Sequence, residues 1–105
     1  MSWQETIIAA HTAVTDAVSH ARRLQSDRYF VWQEDGSNDL AAGNGHGERA
    51  MTGVTDLYTK VEFDPWGDAL GESFRSIGIS WSLVLVEYEE DTGFYHWSWD
   101  WEVVC

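Results

Sequence analysis

The sequence predicts an α+β fold: two helices packed on one face of an antiparallel sheet of about four strands, in the order α-β-β-α-β-β. Three observations carry this. From Ile77 to Cys105 the chain alternates with a period of two. Ile77, Ile79, Trp81, Leu83, Leu85, Trp97, Trp99, Trp101 and Val103 fall on one side, and Ser80, Ser82, His96, Ser98, Asp100 and Glu102 on the other. Two other segments carry apolar residues at helical spacing behind capping signals. Between them lie two stretches rich in β-branched and aromatic residues.

The first helix opens at Ser2-Trp3-Gln4-Glu5, a capping box. Ile7, His11, Val14, Val18, Ala21 and Leu24 then continue one stripe, with Arg22 and Arg23 placed to suit the end of the helix dipole. Arg28 to Glu34 reads as a strand. Asp35 to Gly53 holds Gly36, Gly43, Gly45, Gly47 and Gly53, and is expected to be a long mobile loop or a ragged edge ribbon. Its apolar side chains, Leu40 and Met51 among them, are candidates for docking on a partner. Val54 to Phe63 is a second strand.

The second helix starts at Asp64-Pro65, an N-cap followed by a proline whose missing N–H costs nothing there. Gly78 is placed to end it in a left-handed cap. In the closing hairpin Gly93 closes a short loop. Pairing Glu90 with Phe94 sets Leu85 opposite Trp99 and Leu83 opposite Trp101.

A chain of 105 residues with a hydrophobic fraction of 44% makes one domain, residues 1–105, with one core. The single Cys105 cannot form an internal disulfide, which fits a reducing compartment. No apolar run approaches the roughly 20 residues of a membrane span, so no membrane association is expected. The formal net charge is −12, with six bases spread thinly and none after Arg75. Direct grip on DNA phosphates is therefore not expected, because no basic cluster exists to neutralise them. The acidity serves solubility, repulsion of DNA or mimicry of it.

No catalytic signature is present, so no enzyme activity and no catalytic residue are assigned. No cofactor or metal site is assigned either. His11 lies on the apolar stripe and reads as a packed, hydrogen-bonded histidine. His20 falls on the far side of the same predicted helix, and His46 in the glycine-rich loop. His96 is set opposite Tyr88 on the second sheet face. Glu87, Glu89, Glu90 and Asp91 gather at the hairpin tip as solvated charges. Seven tryptophans exceed what one small core comfortably encloses. Trp32, Trp66 and Trp97 are therefore candidate subunit-interface residues as well as candidate core.

Tyr29-Phe30-Val31-Trp32-Gln33-Glu34-Asp35-Gly36, Gly53-Val54-Thr55-Asp56-Leu57-Tyr58-Thr59-Lys60 and the Trp81, Tyr88–Gly93 and Trp97–Glu102 stretches resemble small structural proteins of tailed phages and prophages. With the order of elements, the chain is similar to tail terminator, or tail completion, proteins of long-tailed phages. That resemblance implies a virion subunit at the head–tail junction, made in the host cytoplasm. It implies a homo-oligomer, a hexameric ring, whose partners are tail tube and head connector proteins and whose lumen passes DNA. Glu87, Glu89, Glu90 and Asp91 are then the candidate DNA-facing edge, repelling the cargo. The alternative is a small acidic DNA mimic that inhibits a host nuclease or restriction enzyme.

Overall fold

The computed structural model describes residues 2–39 and 49–105; Leu40, Gly43, Gly45, His46 and Gly47 lie outside them. Helix α1 spans Trp3–Thr12. The capping box forms as expected, with Ser2 Oγ accepting the Glu5 N–H at 3.1 Å. The helix does not run on to Leu24. The N–H groups of Val14 and Thr15 both turn back to the His11 carbonyl, and Thr15 Oγ1 then accepts the N–H of Ala17. Thr12, Val14, Thr15 and Val18 are β-branched and lose side-chain freedom in a helix, so the helical spacing continues in the sequence where the helix itself stops. Strand β1, Val18–His20, follows instead.

β1 lies parallel to β2, Arg28–Asp39, with Val18 opposite Phe30. β2 is antiparallel to β3, Arg49–Thr59, with a register slip between Glu34 and Gly36. The expected loop from Asp35 to Gly53 is thus ladder over its described parts. The expected strand end at Phe63 also moves back, to Thr59.

Helix α2 spans Pro65–Ile77. Asp64 caps it by accepting the Trp66 N–H at 2.9 Å, and Gly78 ends it at φ +86°, both as the sequence predicts. β4, Ser80–Glu89, and β5, Phe94–Val104, complete the chain. The sheet order is β1-β2-β3-β5-β4. The sheet therefore has five strands and is mixed, not four-stranded and antiparallel, because β1 adds a parallel edge.

One face of the sheet carries both helices. Ile7, Ala10, Leu70 and Phe74 from the helices meet Phe30, Trp32, Leu57, Trp99, Trp101 and Val103 from the strands. Each large side chain so buried contributes roughly 1.5–3 kcal/mol before entropy is charged. The opposite face holds a smaller cluster of Tyr29, Val31 and Tyr58.

The hairpin register differs from the expected one. Glu89, not Glu90, pairs with Phe94, and residues 90–93 form the loop, with Gly93 at φ +75°. Trp81 then faces Trp101 and Leu83 faces Trp99. The ladder slips again between Leu83 and Leu85, at Val84. Strict alternation extrapolated through that bulge put Leu85 on the helix side. Leu85 in fact pairs with Ser98 on the far face, while Val86 pairs with Trp97.

Candidate functional site

β4 is an edge strand, and every residue from Ser80 to Tyr88 is exposed. Leu83 at 43%, Val84 at 54%, Val86 at 52% and Tyr88 at 53% exposure are far from a core condition. No charged side chain interrupts Ser80 to Val86. Long apolar edges invite pairing with another chain unless charge, proline or a bulge blunts them. Here the bulge at Val84 is the only such device before Glu87.

The helix face beside β4 is only partly covered. A groove of about 200 Å³ opens between α2 and β4, with Trp81, Leu83 and Trp97 on the sheet side. Gly67 and Gly71, with the charged Asp68, Glu72 and Arg75, form its helix side. The Trp97 indole lies so close to Gly67 that a Cβ there would overlap it, and the Trp81 ring lies 3.0 Å from where a Gly71 Cβ would sit. The Gly67-x-x-x-Gly71 spacing was the sequence signal for this close approach. A second hollow, about 370 Å³, has Asp35, Asp100 and Glu102 on its walls.

Between β3 and α2 the chain makes a tight corner at Phe63. Its φ is +53°, a left-handed conformation that non-glycine residues seldom adopt, and its side chain is 85% exposed. Sequence periodicity had placed Phe63 on the strand with Leu57. No periodic signal distinguishes it, because it lies past the strand end.

On the far face, the bulge brings Glu87 opposite His96. His96 Nε2–H donates to Asp56 Oδ1 at 2.7 Å, and its ring stacks on Tyr58 at 4.5 Å. Its Nδ1 is buried and has no hydrogen-bond partner, with Glu87 and Glu89 oxygens each at 3.7 Å. Arg23 crosses the same Tyr58 ring and donates to its hydroxyl at 2.7 Å. Glu87, Glu89 and His96 offer one ligand atom each, all within 4.8 Å of one another, and are the described residues able to hold a cation together. The sequence had set His96 opposite Tyr88 and gathered no such group.

The predicted interface residues divide. Of the two readings left open for Trp32, the structure has the core one: it is 4% exposed, beneath Trp3 and the His20 ring, which lies 4.2 Å from it. Trp66 is half-buried, stacked on Phe30 and under the Arg28 guanidinium at 3.8 Å. Trp97 is half-buried against Gly67, and Met51 packs at the margin of the core. Leu40 lies outside the described residues. In the acidic set, Glu90 and Asp91 are exposed at the tip, whereas Glu87 and Glu89 lean over His96.

No family model and no curated protein matches the chain. Among solved structures, a chain from the virion of a native gene transfer agent particle shares the fold. Its TM-score is 0.52 and its identity 10%, covering 96% of this chain and 89% of that one. At this identity the likeness establishes the architecture. No helix among the described residues is long and apolar enough to cross a membrane.

Proposed function

We propose that the protein is a non-enzymatic structural subunit of a phage or phage-like particle, acting as a tail terminator at the head–tail junction and closing into a ring around the DNA passage. The observation that carries the reading is the end-to-end likeness of fold to a chain of a gene transfer agent virion. The exposed apolar edge β4 supports assembly, since closed rings need contacts between different faces of identical subunits. The net charge of −12 supports a lumen that does not hold phosphates, with the exposed tip residues Glu90 and Asp91 facing the DNA and Glu87 and Glu89 behind them.

The test is light scattering and negative-stain microscopy of the purified chain, alone and with the tail tube protein of the same particle. Closed rings, free or on tube ends, are expected. A chain that stays monomeric in both conditions overturns the reading. Capture of a basic nuclease, lost steeply with added salt, points to the DNA mimic instead.

A further inference from the structure

We propose that Phe63 of one copy docks into the groove between α2 and β4 of a second copy. This rests on the reading of the chain as a self-assembling subunit and names the contact. Three observations converge. Phe63 is the most exposed large apolar side chain described, at 85%, and is held there by a corner at φ +53° that disfavours any residue with a Cβ. Such a position is ordinarily glycine or asparagine, so the aromatic ring is retained against local preference.

The groove has the size of its proposed occupant. Its volume is about 200 Å³, and a cavity of about 150 Å³ already takes a benzene ring. Its sheet wall is Trp81, Leu83, Trp97 and Trp99, which suits a phenyl ring, and its helix wall adds the charged Asp68, Glu72 and Arg75 to Gly67 and Gly71.

The surrounding surface is large enough for a specific contact. Trp81, Leu83, Val84, Val86 and Tyr88 are 36–54% exposed. Taking about 150–250 Å² for a fully exposed large side chain, they offer on the order of 450 Å² of surface. One side of a standard interface buries about 800 Å², a little over half of it apolar. The ring therefore anchors a contact whose area the β4 edge supplies. Knob and groove occupy different parts of the subunit, so each copy carries both halves of the contact and chains of contacts can close into rings.

The experiment measures self-association of the full chain by sedimentation for wild type, Phe63→Gly and Leu83→Glu, with thermal melts of each. Glycine adopts the corner without strain, so Phe63→Gly is expected to melt at or above wild type while weakening association at least about thirty-fold. Leu83→Glu blocks the groove and is expected to dissociate likewise. Mixed together, the two variants should form a complex, since one keeps the groove and the other the knob. Phe63→Gly that assembles like wild type overturns the docking proposal and leaves the ring standing. Wild-type assembly that depends on Phe63 but stops at two copies keeps the docking and overturns the ring. A monomeric wild type at all concentrations overturns both.

Discussion

The Thr55 hydroxyl donates to Nε2 of His11 at 2.8 Å, in the middle of the core. His11 Nδ1–H donates in turn to the Ile7 carbonyl at 2.7 Å, and Trp101 Nε1–H donates to Thr55 Oγ1 at 3.0 Å. This chain of bonds needs a neutral imidazole with Nε2 as acceptor. Burial pulls the His11 pKa down from 6.5 to about 4, against the opposing pull of the Ile7 carbonyl. The unfolded chain takes up the proton near 6.5 and the folded one only near 4. Stability is thus complete above pH 6.5, falls as the pH drops through this window, and levels below it. The loss should reach about 3 kcal/mol. The measurement is the melting midpoint against pH for wild type and His11→Gln. Equal slopes between pH 6.5 and 4 in the two chains would refute the assignment.

A second prediction concerns the corner where β2 begins. Asp64 is fully buried, which opposes its ionisation. The Arg28 guanidinium, at 2.6 and 2.9 Å, the Thr59 hydroxyl and the Trp66 N–H outweigh that and hold its carboxyl below the usual range. Arg28→Met leaves this carboxylate buried without its cation and should cost on the order of 3 kcal/mol in urea unfolding. Asp64→Asn in the same chain should recover part of it, since asparagine still caps the helix. A loss under about 1 kcal/mol for Arg28→Met would show the pair to be an ordinary surface contact.

The two helix glycines should respond differently to alanine. At Gly67 a Cβ overlaps the half-buried Trp97 ring, and overpacking of this kind costs about 1–3 kcal/mol. At Gly71 the added carbon meets Trp81 at 3.0 Å, and that indole is 36% exposed and able to yield. The helical preference of alanine, about 1 kcal/mol over glycine, then offsets the crowding. Denaturant melts should place Gly67→Ala below wild type and Gly71→Ala within about 0.5 kcal/mol of it. The reverse order would mean that Trp97, not Trp81, is the ring free to move.

Reversing Glu90 and Asp91 to lysine tests the proposal that the hairpin tip faces DNA, without disturbing His96. Both are exposed loop residues, so the circular dichroism spectrum should be unchanged and the stability altered by less than about 0.5 kcal/mol. In assembled particles the change should impair DNA ejection, with the defect easing as salt rises. Normal ejection by such particles would remove the tip from the DNA passage.

Local signals in the sequence were reliable where one residue type has one physical use. Asp64, Pro65 and Gly78 mark both ends of α2, Ser2 and Glu5 start α1, and Gly93 takes the left-handed turn. His11 was legible as a bonded core residue because it sits on the stripe of Ile7 and Ala10. What failed was extrapolation of period. Val14 and Val18 continue a helical spacing, yet only tertiary pairing with β2 decides that Val18 is a strand residue. The Val84 bulge has no composition of its own, so the faces of Leu85, Val86 and Glu87 were assigned by an alternation already broken. The groove escaped notice because it depends on how the Trp97 and Trp81 rings settle against Gly67 and Gly71, which no periodicity records. Counting tryptophans leaves Trp32 open between core and interface, because its burial under Trp3 and His20 depends on β1, which no sequence signal marks.

The Val84 bulge bears on how this protein can change through descent. It is one residue in length but a half-turn in orientation. Pairing Val84 into the ladder at the same chain length would send Leu85, Glu87 and Glu89 toward the helices and turn Val86 and Tyr88 outward, exchanging two surfaces at once. Replacement at Val84 alters one side chain, and deletion of Val84 itself leaves Leu85 opposite Ser98 and Val86 opposite Trp97, as they are now. The residue is therefore open to change in identity and to removal, and the two surfaces beyond it depend only on its staying out of the ladder.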